Sequence, residues 1–375
     1  MPELNNDEEP PDLNGAGPRR RGSRIALPGA AVVRTGRETL SGELALTIFR
    51  QMVRTRALEE RGIKMSKSGE AFFWVGGPGE EAFNVCLGLQ IHKGRGPAFD
   101  YTHLHYRNAG VMLAMGMPMI EHTRQLAMRA TDRHSRGRNF VGHYCVPEWN
   151  VLPISSVIEV QFSMAPGTAW VQKRHGGEGL TVVVGGEAGT AEGDFETCLN
   201  WSTRPGNELP VLMLVTNNRW GISTDVKTVR VDKPVADRAL PYEIKAETVD
   251  GNDPVAIWHA IDRAMRHCRR ERKPFLLEAM VSRLHGHSSS SGAQRNWEEA
   301  DPIALFEQKL IDAGAIDADA VKAMKDEAKT EADAAVVETM KEPQPTPEDI
   351  ETFTYAPSPV DVVYPGDYTG LPGRR

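Results

Sequence analysis

Residues 182–195 read VVVGGEAGTAEGDF, and this stretch carries the strongest fold signal in the sequence. The valines continue an apolar run from Leu180 and stop at two glycines, which is typical of a buried strand that ends in a tight turn. A helical pattern follows over residues 192–203, and a second apolar run, PVLMLVT, fills residues 210–216. We therefore predict strands at 180–184 and 210–216 that are joined by a helix in one right-handed βαβ unit.

Neither predicted strand has a polar face. Strands that are apolar throughout are typical of a parallel sheet with helices on both faces, so the sequence predicts an α/β fold. The chain after Asp301 has a different character, because two helix-like segments separated by Gly314 follow one another there. This pattern predicts a helical C-terminal extension.

The sequence divides into three regions. Residues 1–38 are rich in Pro, Gly and charge, and we predict a disordered arm because they offer too little apolar surface to offset the cost of ordering the chain. Residues 39–300 are predicted to form the ligand-binding domain, which opens with an amphipathic helix capped by Ser41. Residues 301–375 form the helical extension and tail.

Two polar residues follow the two predicted strands. Ligands of such sheets bind beyond the carboxyl ends of the strands, and Glu187 and Asn218 both fall there. Magnesium prefers oxygen ligands and completes its shell of about six with water and phosphate oxygens, so few protein ligands suffice. The pattern predicts a magnesium and diphosphate site. The alternative, that both residues lie in solvated turns, stays open on spacing alone.

Other nucleotide-binding motifs do not fit this stretch. A dinucleotide fingerprint would need glycines two and five positions after Gly186, where the sequence has Ala188 and Ala191. The sequence contains no G-x-x-x-x-G-K-[ST] motif either. Neither a Rossmann nor a Walker phosphate loop is therefore indicated.

The composition argues against several classes of partner. The chain of 375 residues has a formal charge of −7, so we expect no nucleic-acid partner. No apolar run approaches the roughly 20 residues that span a bilayer, so we expect no membrane segment. The four cysteines lie far apart without a CxxC pair, and the N-terminus is acidic. We therefore expect no disulfide framework and a cytoplasmic location.

Several longer motifs resemble one family. GGEAGTAEGDFETCLNW, TNNRWGIST, VDGNDPVAIWHAIDRA and KPFLLEAMVSRLHGHSSS resemble, in this order, the alpha subunit of the decarboxylating component of 2-oxo acid dehydrogenase complexes. Upstream, GPGEEA, HYRNAGVMLAMGM, GRNFVGHY and ISSVIEVQ match as well, so the resemblance covers about residues 41–335. It implies that residues 39–300 form a thiamine-diphosphate-binding fold, which holds the cofactor diphosphate and Mg²⁺.

The resemblance also implies roles for individual residues. Magnesium would be held by Glu187, Asn218 and the main-chain carbonyl of Trp220. The cofactor would contact Tyr106, Arg107, Ser156, Ile158, Gly186, Glu187, Ala188, Gly189, Asn218 and His287. His287 and His143 match histidines of the family's active site, where a histidine can change its proton state near neutral pH. By itself, His143 is better explained as a structural histidine.

The implied activity is a thiamine-diphosphate-dependent oxidative decarboxylation. The resemblance points to a branched-chain 2-oxo acid such as 2-oxoisovalerate, in branched-chain amino acid catabolism, with transfer of the acyl group to a lipoyl group of the acyltransferase component. In heteromeric relatives a beta subunit supplies the carboxylate that contacts the cofactor aminopyrimidine. The resemblance therefore implies an alpha2-beta2 heterotetramer.

Some alternatives stay open. GGEA and VDGND favour a branched-chain substrate, whereas HGHS is as common in relatives that use pyruvate or acetoin. A catalytically silent scaffold subunit is an alternative of a different class, but a scaffold has no need for the full set of Arg107, Glu187, Asn218 and His287. A potassium site and modification of Ser288 also stay open, because Val160 and the loop SSSSGAQRN depart from the family pattern.

Overall fold

A five-stranded parallel sheet forms the centre of the computed structural model, which describes residues 31–350. In this part of the chain the strands are β1 (Val32–Thr35), β2 (Glu38–Ser41), β3 (Tyr101–His103), β4 (Thr181–Gly186), β5 (Val211–Asn217), β6 (Trp220–Gly221), β7 (Thr224–Asp225), β8 (Lys245–Asp250) and β9 (Phe275–Met280). The central sheet has the strand order β3-β4-β5-β9-β8, and all of its neighbouring strands run parallel.

Helices cover both faces of this sheet. Over the same residues the α-helices are α1 (Gly42–Ser68), α2 (Glu81–Gly88), α3 (Ala109–Ala114), α4 (Met119–Leu126), α5 (Val160–Arg174), α6 (Gly193–Ser202), α7 (Pro254–Glu271), α8 (Pro302–Asp312) and α9 (Ala318–Thr339). One core cluster joins side chains of α2 and α7 to Val182, Val184, Leu212, Leu214 and Leu277. The other joins side chains of α5 and α6 to Val183, Val211, Met213, Val215 and Leu276. Because alternate strand residues enter different clusters, the predicted α/β fold with helices on both faces is confirmed.

The predicted βαβ unit is formed by β4, α6 and β5. Every residue of both strands is buried, as their mostly apolar sequences predict. The strand β4 runs through Gly185 and Gly186, which pair with Val215 and Thr216 of β5. The tight turn therefore begins at Glu187, two residues later than the end predicted for the strand.

The first and last helices of the described residues pack against each other. The helix α1 begins after Ser41, whose Oγ accepts a hydrogen bond from the backbone N–H of Leu44 at 3.3 Å. Leu58 of α1 lies in one buried cluster with Ala332 and Ala335 of α9. The guanidinium of Arg54 donates to both carboxylate oxygens of Glu331, at 2.8 and 2.5 Å.

The predicted helical extension is present as α8 and α9, with Gly314 between them in the left-handed region at φ 65°. Phe306 and Leu310 of α8 belong to the same core cluster as Phe49 of α1. The extension therefore shares the core of the sheet. The division of the chain at residue 300 stays a prediction.

The predicted disordered arm is too long at its C-terminal end. Residues 1–30 lie outside the described residues, but β1 begins at Val32 and pairs with β2 in an antiparallel hairpin. Val33 and Leu40 are 1% and 2% exposed, because both pack into the main core. The prediction used the overall composition of residues 1–38, in which apolar residues such as Val33 are a minority.

None of the helices within residues 31–350 combines the length and the apolarity that crossing a bilayer requires.

Candidate active site

Glu187 and Asn218 lie side by side at the carboxyl end of the sheet. Glu187 directly follows β4, and Asn218 directly follows the neighbouring parallel strand β5. Glu187 Oε2 accepts a hydrogen bond from the backbone N–H of Asn218 at 3.3 Å. The two residues are 1% and 5% exposed. The fold thus brings the Glu187 carboxylate against the backbone of Asn218, the two residues on which the predicted cation site depends.

The second carboxylate oxygen of Glu187 has no partner. Oε1 is buried and forms no hydrogen bond in the described part of the chain. Burial raises the pKa of Glu187, and the positive charge of Arg107 opposes this shift. An unpaired buried carboxylate oxygen is costly, and a divalent cation at Oε1 would both satisfy it and favour the ionised form.

The amide of Asn218 turns the chain after β5. Its Oδ1 accepts a hydrogen bond from the backbone N–H of Trp220 at 3.0 Å, so the three residues form a side-chain-closed turn. Trp220 opens the short antiparallel pair of β6 and β7 and is 37% exposed. Within residues 31–350 no cluster of three or more His, Cys, Asp or Glu side chains could hold a metal. The donors present are one carboxylate, one amide and one main-chain carbonyl, and such hard oxygen donors suit Mg²⁺.

Arg107 lies against the end of β4. A Cβ atom built on Gly186 would stand 2.8 Å from Arg107 Nη2, so any larger residue there would require the guanidinium to shift. Arg107 Nε donates to Glu80 Oε1 at 2.9 Å, and Nη1 donates to the hydroxyl of Tyr106 at 3.4 Å. Burial lowers the pKa of Arg107, but Glu80, Tyr106 and Glu187 together outweigh burial and hold this pKa above its ordinary value. A fixed cation is therefore positioned beside the glycine turn.

Glu159 is a buried carboxyl beneath the same turn, and the sequence analysis did not select it. Its Oε1 accepts a hydrogen bond from the backbone N–H of Gly186 at 3.1 Å, and burial raises its pKa to about 8. Cβ atoms built on Gly185 and Gly189 would stand 2.2 and 2.1 Å from this carboxyl group. Gly189, predicted to admit the cofactor, thus faces Glu159, whereas Ala188 is exposed. The sequence does offer one signal for Glu159, because it is the single acidic residue in the stretch ISSVIEVQ.

Tyr106 lies between the two predicted active-site histidines. Its ring centroid is 6.1 Å from that of His287, edge to face, and 6.4 Å from that of His143, stacked. His143 Nε2 is hydrogen-bonded to Ser156 Oγ, which connects Ser156 to this group. Ile158 lies on the same loop before α5 and is 44% exposed.

His287 is neutral near pH 7 in this arrangement. Burial lowers its pKa to about 4, and the positive charges of Arg107 and Arg283 act in the same direction. An uncharged imidazole can donate one hydrogen bond and accept another. His287 is therefore suited to hold or pass a proton at a ring nitrogen.

The predicted site residues line two cavities. Arg107, Asn218 and His287 line a narrow crevice, together with Glu80 and Arg283. Glu187 and Ala188 line a wider cleft of about 710 Å³, which Arg230 and Arg238 also reach. Glu187, which lines the cleft, accepts a hydrogen bond from the backbone of Asn218, which lines the crevice. Glu80 and Arg283 were not selected from the sequence, where each is one charge among many.

Comparison with known proteins places these features in a family context. The model of the family "Dehydrogenase E1 component" matches residues 49–348. The chain is 28% identical over 325 residues to the 2-oxoisovalerate dehydrogenase subunit alpha of Bacillus subtilis, covering 84% of this chain and 97% of that protein.

Two further relatives broaden the comparison. The mitochondrial 2-oxoisovalerate dehydrogenase subunit alpha of Homo sapiens is 28% identical over 335 residues, which cover 86% of this chain and 73% of that protein. The pyruvate dehydrogenase E1 component subunit alpha of Bacillus subtilis is 25% identical over 321 residues, covering 83% and 82% of the two chains. The similarity thus extends to proteins named for two different substrates.

Proposed function

Because the chain belongs to the dehydrogenase E1 component family, we propose that it is the alpha subunit of a thiamine-diphosphate-dependent 2-oxo acid dehydrogenase. The proposed reaction is the oxidative decarboxylation of a branched-chain 2-oxo acid such as 2-oxoisovalerate, with acyl transfer to a lipoyl group. The names of the Bacillus and human relatives support this substrate. The pyruvate dehydrogenase relative keeps pyruvate as the second candidate.

One observation carries the proposal. At the carboxyl edge of a parallel sheet, Glu187 and Asn218 are in contact, and one buried oxygen of Glu187 has no hydrogen-bond partner among residues 31–350. Ligands of open α/β sheets bind at this edge. A magnesium ion held by Glu187, Asn218 and the carbonyl of Trp220 accounts for the unpartnered oxygen.

The residues of this chain have distinct tasks in the proposed reaction. Thiamine diphosphate supplies the electron sink for decarboxylation when it is bound. Arg107, fixed by Glu80, would hold the diphosphate, because a guanidinium stays charged and matches phosphate oxygens. Gly186 would let the diphosphate approach the backbone. His287 would donate or accept a proton at a ring nitrogen beside the diphosphate.

The remaining cofactor contacts stay predictions of the same proposal. Tyr106 would hold the cofactor phosphates next to Arg107, and its ring already separates His287 from His143. Ser156, Ile158, Ala188 and Gly189 would contact the cofactor mainly through their backbone. His143 would act at the mouth of the site.

We propose a beta subunit as partner, in an alpha2-beta2 heterotetramer, and a lipoyl-bearing acyltransferase as acceptor of the acyl group. The relatives are named as alpha subunits, which supports a partner subunit. The beta subunit would supply the carboxylate that contacts the aminopyrimidine. A cytoplasmic location is also a proposal, and the human relative is named as mitochondrial.

Calorimetry tests the cofactor part of the proposal. The chain, co-expressed with its beta partner, is titrated with thiamine diphosphate in the presence and absence of Mg²⁺. We expect saturable binding that requires Mg²⁺. Absence of Mg²⁺-dependent binding would contradict the enzyme function and favour a silent scaffold subunit.

Decarboxylation assays test the substrate. The same complex is supplied with 2-oxoisovalerate or with pyruvate, and the released carbon dioxide is measured. We expect a higher kcat/KM for 2-oxoisovalerate. A preference for pyruvate would leave the cofactor site intact and overturn only the branched-chain substrate.

A further inference from the structure

Arg283 carries an unsatisfied cationic group in the crevice beside Asn218. It follows β9 and lines the crevice with Arg107, Asn218 and His287. Its Nη1 is buried and has no hydrogen-bond partner among the described residues. Its Nε donates to the carbonyl of His285 at 3.3 Å. A neutral carbonyl does not balance the charge of a guanidinium, and among the described residues the negative charges of Glu187 and Glu299 offset the effects of burial and of Arg107 only in part.

A second cation acts on Arg283 from the same crevice. Burial lowers the pKa of Arg283, and the positive charge of Arg107 lowers it further. Arg107 has a partner in Glu80, at 2.9 Å. Two partly buried guanidinium groups that repel each other destabilise the protein unless an anion joins them.

Stacking on Trp220 holds Arg283 in place. The guanidinium carbon of Arg283 lies 5.6 Å from the centre of the Trp220 ring, within the range of a cation–π contact. Trp220 also supplies the main-chain carbonyl that we propose as a ligand of Mg²⁺. The orientation of Arg283 is therefore linked to the segment proposed to bind the metal.

We propose that Arg283 is a second diphosphate-binding arginine, which grips the cofactor together with Arg107. The inference rests on the proposed function and adds a residue to its binding site. A diphosphate in the crevice would give the unpartnered Nη1 an acceptor and would separate the two like charges. The guanidinium of Arg presents a planar fork of donors that matches two phosphate oxygens, a geometry that the ammonium group of lysine does not reproduce.

Calorimetric titration of the complex with its beta partner tests this role. Wild type, Arg283→Gln and Arg283→Lys are each titrated with thiamine diphosphate and Mg²⁺, and separately with thiamine. We expect Arg283→Gln to weaken thiamine diphosphate binding by roughly 10- to 100-fold, the range for a lost hydrogen bond between charged groups. Arg283→Lys should lose less, and the affinity for thiamine, which has no phosphate, should not change.

Arg204→Gln is the matched control. Arg204 also stacks on tryptophan, with its guanidinium carbon 4.4 Å from the ring centre of Trp201, and its buried Nε also has no hydrogen-bond partner within the described part of the chain. It lines a different surface cleft, next to Trp170. We expect this variant to bind thiamine diphosphate as wild type does.

The outcomes separate this inference from the proposed function. If wild type does not bind thiamine diphosphate, both the proposed function and the role of Arg283 are wrong. If wild type binds thiamine diphosphate and both Arg283 variants bind it as tightly as wild type does, only the role proposed for Arg283 is wrong. Unchanged cofactor affinity with a raised KM for the 2-oxo acid would also overturn it, by assigning Arg283 to the substrate carboxylate. If Arg283→Lys unfolds at the same temperature as wild type, its measured affinity is that of a folded protein.

Discussion

The carboxylate of Glu187 accepts a hydrogen bond from the backbone N–H of Asn218 at 3.3 Å, and this contact ties together the ends of two neighbouring parallel strands. Replacing Glu187 by Gln keeps an acceptor for this bond but removes the charge that a cation requires. We expect Glu187→Gln to fold normally and to weaken Mg²⁺-dependent binding of thiamine diphosphate by at least roughly 100-fold. Loss of even an indirect partner of a bound metal costs about 10- to 100-fold in affinity.

Glu192→Gln is the control for this substitution. Glu192 lies in the same loop, is exposed, and makes no side-chain capping bond to α6. Calorimetry with and without Mg²⁺ measures both variants. Equal binding by Glu187→Gln and Glu192→Gln would refute the metal-ligand role of Glu187.

The ion pair of Glu80 and Arg107 should matter for stability. Both side chains are largely buried, at 3% and 11% exposure. We expect Glu80→Ala to lower the free energy of unfolding by about 3–5 kcal/mol, because it leaves a buried guanidinium without its carboxylate. The exposed pair of Glu148 and Arg133 provides the comparison, and Glu148→Ala should cost about 0–1 kcal/mol. Urea unfolding measures both, and similar losses would contradict the assigned burial.

The contact between Gly189 and Glu159 predicts a coupled effect. A Cβ on Gly189 would stand 2.1 Å from Glu159 Oε1, so Gly189→Ala should displace the carboxyl group from Gly186. We expect a loss of roughly 1–3 kcal/mol in the free energy of unfolding, as for other overpacked sites. Gly193→Ala, where the added atom meets nothing within 4 Å, should have little effect.

A double-mutant cycle checks the cause of that loss. If the clash with Glu159 is responsible, then Gly189→Ala should cost much less in a Glu159→Ala background. Thermal or urea unfolding of the two single variants and the double variant gives the coupling energy. Strictly additive losses would show that the cause lies elsewhere.

Glu59 should make the stability depend on pH. It is 1% exposed, and burial raises its pKa from 4.5 to about 7, although Trp74 donates a hydrogen bond to it at 2.8 Å. Between about pH 4.5 and 7 the folded protein holds a proton that the unfolded chain has released. Stability from this group is therefore complete below pH 4.5, falls as the pH rises, and levels off above about pH 7.

Glu59→Gln removes this dependence. When the pH is raised from 5 to 8, we expect the free energy of unfolding of wild type to fall by roughly 2–3 kcal/mol relative to that of the variant. Urea unfolding at both pH values measures the difference, and titration of other groups cancels between the two proteins. A difference that does not change with pH would mean that Glu59 is ionised in the fold.

The sequence predicted the centre of the fold well because apolar runs report directly on buried strands. The strands predicted at 180–184 and 210–216 are β4, Thr181–Gly186, and β5, Val211–Asn217. The prediction ended the first strand at its glycines, since glycine usually marks a turn. Here both glycines pair with β5, and the space that they leave is filled by Glu159 and Arg107.

The buried charges around the site could not be predicted in the same way. Glu80, Glu159 and Arg283 come from three distant segments, and each is an ordinary charged residue in the sequence. Their burial is decided by which segments the fold brings to the end of β4. The short hairpin at Val32 escaped notice for a related reason, because its apolar contacts lie outside its own segment.

The packing of α1 against α9 sets an order of events during synthesis. Arg54 and Glu331, which bind each other, are 277 positions apart, and most of the chain must leave the ribosome before they can meet. Until then Leu58 of α1 lacks the packing that Ala332 and Ala335 of α9 provide, which exposes this part of the helix to aggregation or to chaperones. Nascent chains halted before α9 should therefore remain protease-sensitive around Leu58, even after the central sheet has been translated.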